Sequence, residues 1–180
     1  MRAFLAIDLP EEVSAALTRL QAGLPVGRPV AEENLHLTLA FLGDQDEVAL
    51  EGLHYELDAL RAAPFALRFS GLGAFGGDRP RILFADVAPE PALTDLHRRV
   101  IGIARRAGIA VPRERFHPHV TLARFGNGAA PDVAARLRRF LTEHGDAPLP
   151  GFGATGFGLY ESTLHPSGVR YELLARYALG

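Results

Sequence analysis

The chain has 180 residues, 48% of them hydrophobic and 22% charged, and 19 basic against 21 acidic residues leave a net charge of −2. This length supports one compact domain or two small lobes around a shared core, and the apolar content excludes a disordered chain. There is no cysteine, which excludes disulfides, thiolate metal sites and cysteine nucleophiles, and every basic residue is arginine, which excludes Schiff-base chemistry. No apolar run approaches the roughly 20 residues of a membrane-spanning helix. The apolar start at Met1 is interrupted by Asp8, Glu11 and Glu12 and does not read as a signal segment, so the expected location is the cytoplasm.

In chain order, Arg2 to Leu9 reads as a strand and Pro10 as the first position of a helix whose Val13, Leu17 and Leu20 share a face. Pro25, Gly27 and Pro29 predict a loop, and Asn34 to Leu42 a second strand. Leu50, Leu53, Leu57 and Leu60 mark a helix from Asp46 to Ala62. Phe65 to Phe75 and Arg81 to Val87 read as strands around the turn Gly76-Gly77-Asp78. A helix marked by Leu93, Leu96, Val100 and Ile103 comes next, then a strand from His119 to Phe125 and a helix marked by Val133, Leu137 and Phe140. Phe152 to Leu179 is strand-like, with a break at Pro166-Ser167-Gly168. Between Arg98 and Arg139, ten arginines are opposed only by Glu114 and Asp132. Such a stretch is either a phosphate-binding surface or a solvated helix face.

The chain also repeats itself. His36-Leu37-Thr38-Leu39-Ala40-Phe41-Leu42-Gly43 and His119-Val120-Thr121-Leu122-Ala123-Arg124-Phe125-Gly126 are identical at five of eight positions. A strand and helix precede each copy, with Phe4 to Pro10 aligned against Leu83 to Pro89. A helix and a Gly/Phe-rich strand follow, with Phe69 to Phe75 against Phe152 to Phe157. The expected organisation is a single two-lobed domain over 1–180, its halves running approximately 1–78 and 79–165, with a C-terminal strand 169–179 completing the sheets.

On a strand, residues i and i+2 share a face, so His36 projects with Thr38 and His119 with Thr121, while Leu37, Leu39, Val120 and Leu122 turn to the core. A pseudo-twofold axis between the halves brings the two His-x-Thr pairs into one cleft. Seven histidines and seven threonines in 180 residues yield only about 0.3 His-x-Thr triplets by chance. Histidine titrates near neutrality, so one imidazole accepts a proton while the other donates one, as in-line cleavage of a phosphoester requires. Threonine hydroxyls and an arginine suit the non-bridging oxygens. Arg124 is the nearest arginine, although strict alternation turns it to the opposite face from Thr121. Phe41, Phe116 and Phe125 are candidates to stack a nucleobase or to fill the core. His117-x-His119 evokes metal ligation, yet no acidic residue lies within the motif. His54, His97, His144 and His165 read as structural.

The paired motifs His36-Leu37-Thr38-Leu39 and His119-Val120-Thr121-Leu122 resemble those of the two-histidine (2H) phosphoesterase superfamily. The start Met1 to Pro10, the block His36 to Gly43 and His117 to Arg124 resemble its RNA 2′,3′-cyclic phosphodiesterase branch, first named for 2′-5′ RNA ligase activity. The resemblance covers essentially the whole chain. It implies an α+β fold, a bilobal pseudo-twofold duplication of antiparallel sheets with flanking helices around a central cleft. It implies opening of the 2′,3′-cyclic phosphate at RNA 3′ ends, or on nucleotides, to a 2′-phosphate, reversible as 2′-5′ ligation, with no metal or other cofactor. Nothing in the sequence demands a dimer, and a monomer is expected. His36 is then the acid on the departing 3′ oxygen, His119 the base that activates water, and Thr38, Thr121 and Arg124 the phosphate ligands. The local chemistry leaves the acid and base assignments interchangeable. The alternatives are a phosphodiesterase for small cyclic nucleotides or cyclic ADP-ribose phosphate, and a non-catalytic RNA-end-binding protein.

Overall fold

A computed structural model describes residues 1–126, 131–166 and 168–180. The elements are β1 (Arg2–Asp8), α1 (Glu11–Ala22), β2 (Arg28–Pro29), β3 (His36–Asp44), α2 (Glu47–Asp58), β4 (Phe65–Leu67), β5 (Phe69–Phe75), β6 (Ile82–Val87), α3 (Pro91–Arg106), β7 (His119–Arg124), α4 (Pro131–His144), β8 (Phe152–Ala154), β9 (Gly156–His165) and β10 (Gly168–Ala178). The periodicity located these elements, and the departures lie mostly at their ends. Pro10 is the extended N-cap of α1 rather than its first turn. A 3-10 turn, Glu32–Asn34, replaces the start of the second predicted strand. α2 stops short of Ala62 because Arg61 folds back to donate to the carbonyls of Asp58 and Leu60. The predicted loop contains the short strand β2, which pairs with β7. Ser167, in the predicted break, lies outside the described residues.

The main sheet has eight strands in the order β10-β9-β1-β3-β7-β6-β5, with β2 beside β7, and β4 pairs with β8 in a small second sheet. At the centre of the main sheet, β3 and β7 meet in register at one pair, Leu37 opposite Val120, both fully buried. The strands on either side repeat the same pattern. Phe4, Leu5, Ala6 and Asp8 face Phe41, Ala40, Thr38 and His36, just as Ile82, Leu83, Phe84 and Asp86 face Arg124, Ala123, Thr121 and His119.

This register corrects the outer parts of the sequence alignment. Phe4 corresponds to Ile82, one residue before the alignment by composition. In the same frame Gly158 and Tyr160 sit on Ala6 and Phe4 as Gly73 and Phe75 sit on Phe84 and Ile82. The true counterpart of Gly71-Leu72-Gly73-Ala74-Phe75 is therefore Gly156-Phe157-Gly158-Leu159-Tyr160. Both inner glycines are there for space: a Cβ on Gly73 would meet the Phe84 ring at 2.7 Å, and one on Gly158 the Tyr160 ring at 2.6 Å.

Each His-x-Thr strand also carries a β-bulge at the same place. The pairing steps from Thr38 to Ala40 against Ala6 and Leu5, and from Thr121 to Ala123 against Phe84 and Leu83, which leaves Leu39 and Leu122 as the extra residues. Their carbonyls are met by helices from the opposite half. Gln21 of α1 donates to the Leu122 carbonyl at 2.7 Å and to that of Val30 at 2.8 Å, and His97 of α3 contacts the Leu39 carbonyl through Nδ1 at 2.9 Å. Thus α1 packs on β7 and α3 on β3, and the halves are interleaved. Below the sheet, Leu5, Ile7, Leu17, Leu53, Leu93, Leu96 and Val100 belong to one continuous core with Leu37 and Val120.

Gln21 is buried, and its truncation strips a hydrogen bond from two carbonyls. Gln21→Ala is expected to lower the unfolding free energy by about 1–3 kcal/mol, read from urea denaturation. A change below about 0.5 kcal/mol would show that the bulge does not need this donor.

Candidate active site

The Leu37–Val120 pair sets the site. In antiparallel register it puts His36 across from Thr121 and Thr38 across from His119, all four on the face away from the core. The two histidines are then diagonal neighbours across this pair, a spacing of about 7–8 Å in a regular antiparallel ladder. His36, Thr38, His119 and Thr121 are each half-buried, while their alternating neighbours Leu37, Leu39, Val120 and Leu122 are buried.

The bulges decide what comes next along each strand. With one extra residue at Leu39 and Leu122, alternation is reset, so Ala40 and Ala123 point to the core and Phe41 and Arg124 to the open face. Arg124 therefore joins Thr121 despite its odd spacing, and its charge acts on both histidines. Four other arginines of the basic stretch are paired with acids instead. Arg98 and Arg99 pair with Asp95, Arg106 with Glu56 and Arg138 with Asp78, all from α3 and α4. For these residues the solvated-helix reading holds.

Both imidazoles are held in the same way. His36 Nδ1 lies 2.7 Å from the Asn34 carbonyl and His119 Nδ1 2.7 Å from the His117 carbonyl. A carbonyl only accepts, so each Nδ1 carries a proton and each Nε2 is left to take or give one. Both pKa values lie below the ordinary histidine value of 6.5. Burial is the main cause for each; the backbone carbonyl opposes it, and the Arg124 guanidinium and neighbouring imidazoles add to it.

Two carboxylates that the motif reading missed stand beside these rings. Asp8 is the cross-strand neighbour of His36 and Asp86 that of His119, and each raises the pKa of its histidine. Their own partners differ. Asp8 accepts a hydrogen bond from the Tyr160 hydroxyl, and Arg176 Nη1 approaches its other oxygen at 2.7 Å as an ion pair. Burial, reinforced by Asp8, keeps the Tyr160 phenol protonated. Asp86 meets His117 Nε2 at 2.8 Å and the Ser70 hydroxyl at 3.3 Å. The signal for these acids was the aspartate near the end of each preceding strand, obscured by an alignment one residue out of step. His117 sits beside His119, with ring centroids 6.0 Å apart. His97 stacks on Phe116 at 3.8 Å, and His54 meets the Tyr177 hydroxyl at 3.1 Å.

The family model described as the 2′-5′ RNA ligase superfamily matches residues 9–150. The chain belongs to this superfamily. It is 33% identical over 186 residues to the Escherichia coli RNA 2′,3′-cyclic phosphodiesterase, covering 99% of this chain and 96% of that protein. It is 34% identical to the Geobacillus stearothermophilus protein of the same name, covering 98% of this chain but spanning only 56% of that relative's length. The crystal structure of E. coli LigT complexed with 3′-AMP superposes with a TM-score of 0.82 at 30% identity, over 99% of this chain and 97% of that one. In this superfamily member, no group of three or more His, Asp or Glu side chains among the described residues converges to hold a metal ion. No helix among them is long and apolar enough to cross a membrane.

The depressed histidine pKa values fix a pH dependence. A base must be neutral, and its activity rises as pH climbs through its pKa. An acid must be protonated, and its activity is lost as pH climbs through its own. With both below 6.5, kcat/KM for the free enzyme is expected to peak on the acid side of pH 6.5 and fall above it. Asp8→Asn removes a charge that raises the pKa of His36, so the limb controlled by His36 should move to lower pH. An unchanged pH–rate profile for Asp8→Asn would contradict this coupling.

Proposed function

We infer that the chain hydrolyses the 2′,3′-cyclic phosphate at RNA 3′ ends to a 2′-phosphate by paired-histidine acid–base catalysis, without a metal. The observation that carries this reading is the diagonal His36/His119 array, in which each ring is anchored at Nδ1 and free at Nε2. The names of the relatives support the substrate class.

The phosphate binds between the two imidazoles. The Thr38 and Thr121 hydroxyls donate to its non-bridging oxygens, and Arg124 neutralises their charge. His119 Nε2 takes a proton from water as that water attacks phosphorus. His36 Nε2 gives a proton to the 3′ oxygen as the P–O3′ bond breaks on the opposite side. The reaction leaves a 2′-phosphate, a 3′-hydroxyl, a protonated His119 and a neutral His36, and proton exchange with solvent resets the pair. With an RNA 5′-hydroxyl in place of water, the same groups serve 2′-5′ ligation, and the reverse reaction is its cleavage. One chain supplies both histidines, which supports a monomer, and the cysteine-free composition is compatible with work in the cytoplasm.

The test is an RNA oligonucleotide ending in a 2′,3′-cyclic phosphate, incubated with the protein in EDTA. Release of a 2′-phosphate is expected, with His36→Ala and His119→Ala each slower by at least about 10²-fold. Activity abolished by EDTA would overturn the metal-free mechanism. Turnover confined to cyclic mononucleotides would move the substrate to the small cyclic nucleotides, and no turnover by folded protein would leave an RNA-end binder.

A further inference from the structure

Arg124 has Ile82 opposite it on one side and Arg28 on the other, because the short strand β2 pairs with β7 there. Residues directly opposite in an antiparallel ladder share a face, so the Arg28 side chain leaves the sheet on the open side with that of Arg124. Both residues are exposed, and neither guanidinium meets a carboxylate among the described residues. Like charges placed directly opposite one another are destabilising. The other half has no matching pair. Phe41, at the corresponding position, faces Phe4 on one side, and no described strand pairs with it on the other.

The segment that carries Arg28 is pinned along its length. Arg136 donates to the Pro25 carbonyl at 3.1 Å. Gly27 turns the chain at φ 88° against the ring of Phe125, which itself packs on the core, and a Cβ there would meet that ring at 2.7 Å. The Val30 N–H donates to the Leu122 carbonyl at 2.8 Å, and Gln21 holds the Val30 carbonyl at 2.8 Å. Arg28 is thus presented from a fixed backbone beside Arg124. Two adjacent guanidiniums on a fixed frame suit two adjacent anions. An RNA end in a cyclic phosphate offers them: the reacting phosphate, and the phosphodiester on O5′ of the same nucleotide.

We propose that Arg28 binds the phosphate on O5′ of the terminal nucleotide while Arg124 binds the reacting one, so that the site selects substrates carrying both. The proposal rests on the reading of the site as a cyclic-phosphate hydrolase. It adds the feature by which an RNA end is preferred over a nucleoside cyclic phosphate. Phosphate contacts carry no base information, so the preference is for a chain and not for a sequence.

Three substrates test this: a nucleoside 2′,3′-cyclic phosphate, the same compound with a 5′-phosphate, and a dinucleotide ending in a cyclic phosphate. Wild type should prefer the second and third over the first in kcat/KM. Arg28→Ala should cut that preference by about 3- to 30-fold, through KM. For the dinucleotide it should also lower the slope of log kcat/KM against log salt concentration by about 0.7. Arg28→Lys keeps the charge and should keep that slope. A loss shared equally by all three substrates would contradict the proposal, because it would place Arg28 on the reacting phosphate or in the fold. A loss confined to the dinucleotide would place Arg28 on the upstream nucleoside and overturn the phosphate assignment. An unchanged preference in Arg28→Ala, with hydrolysis intact, would sink the Arg28 subsite alone. Wild type that opens none of the three would remove the hydrolase reading and the subsite together.

Discussion

The meeting of Leu37 and Val120 is the contact on which the site depends. These two side chains join the halves of the sheet at one point in register, and the core seals both from water. Burying side chains of this size contributes about 1.5–3 kcal/mol each, which is ordinary for a core contact. Its consequence is geometric. One antiparallel pair of small apolar residues on the core side places a histidine and a threonine from each strand on the other side, in diagonal arrangement. β3 and β7 share only this pair in register, and β2 pairs with β7 beyond it, Arg28 opposite Arg124 and Pro29 opposite Ala123.

The bulges extend that logic. A regular strand would have sent Arg124 into the core and exposed Ala123 in its place. The extra residue at Leu122 exchanges the two, and the same event at Leu39 brings out Phe41. A bulge disturbs the ladder, and the carbonyls there are met by Gln21 and His97 from the helices of opposite halves. The hydrogen bonds that tolerate the bulges therefore also tie the two halves together, so neither half is completed by its own helix alone.

Within this near-symmetric frame, the electrostatics differ between the two histidines. Each imidazole has an aspartate beside it and a carbonyl at Nδ1. The aspartate next to His36 is engaged by an arginine and a tyrosine hydroxyl, and the one next to His119 by His117 and a serine. Two equivalent imidazoles thus stand beside carboxylates that are differently engaged.

The sequence by itself determined the strand and helix periodicity, the duplication and the two His-x-Thr pairs. All of these rest on local alternation and on the identity of the paired octapeptides. It also indicated which residues face the core, because apolar and polar positions alternate cleanly up to Thr38 and Thr121. Beyond those threonines alternation misleads, since a bulge is a property of the pairing between strands and leaves no unambiguous mark in one strand read alone. Only the tertiary structure decided that Arg124 reaches the cleft, that Phe41 stays exposed while Phe116 and Phe125 pack away, and that Asp8 and Asp86 flank the histidines. The outer alignment depended on it too, because cross-strand register is set by packing across the whole sheet, and a one-residue slip is invisible in composition but moves every side chain to the other face.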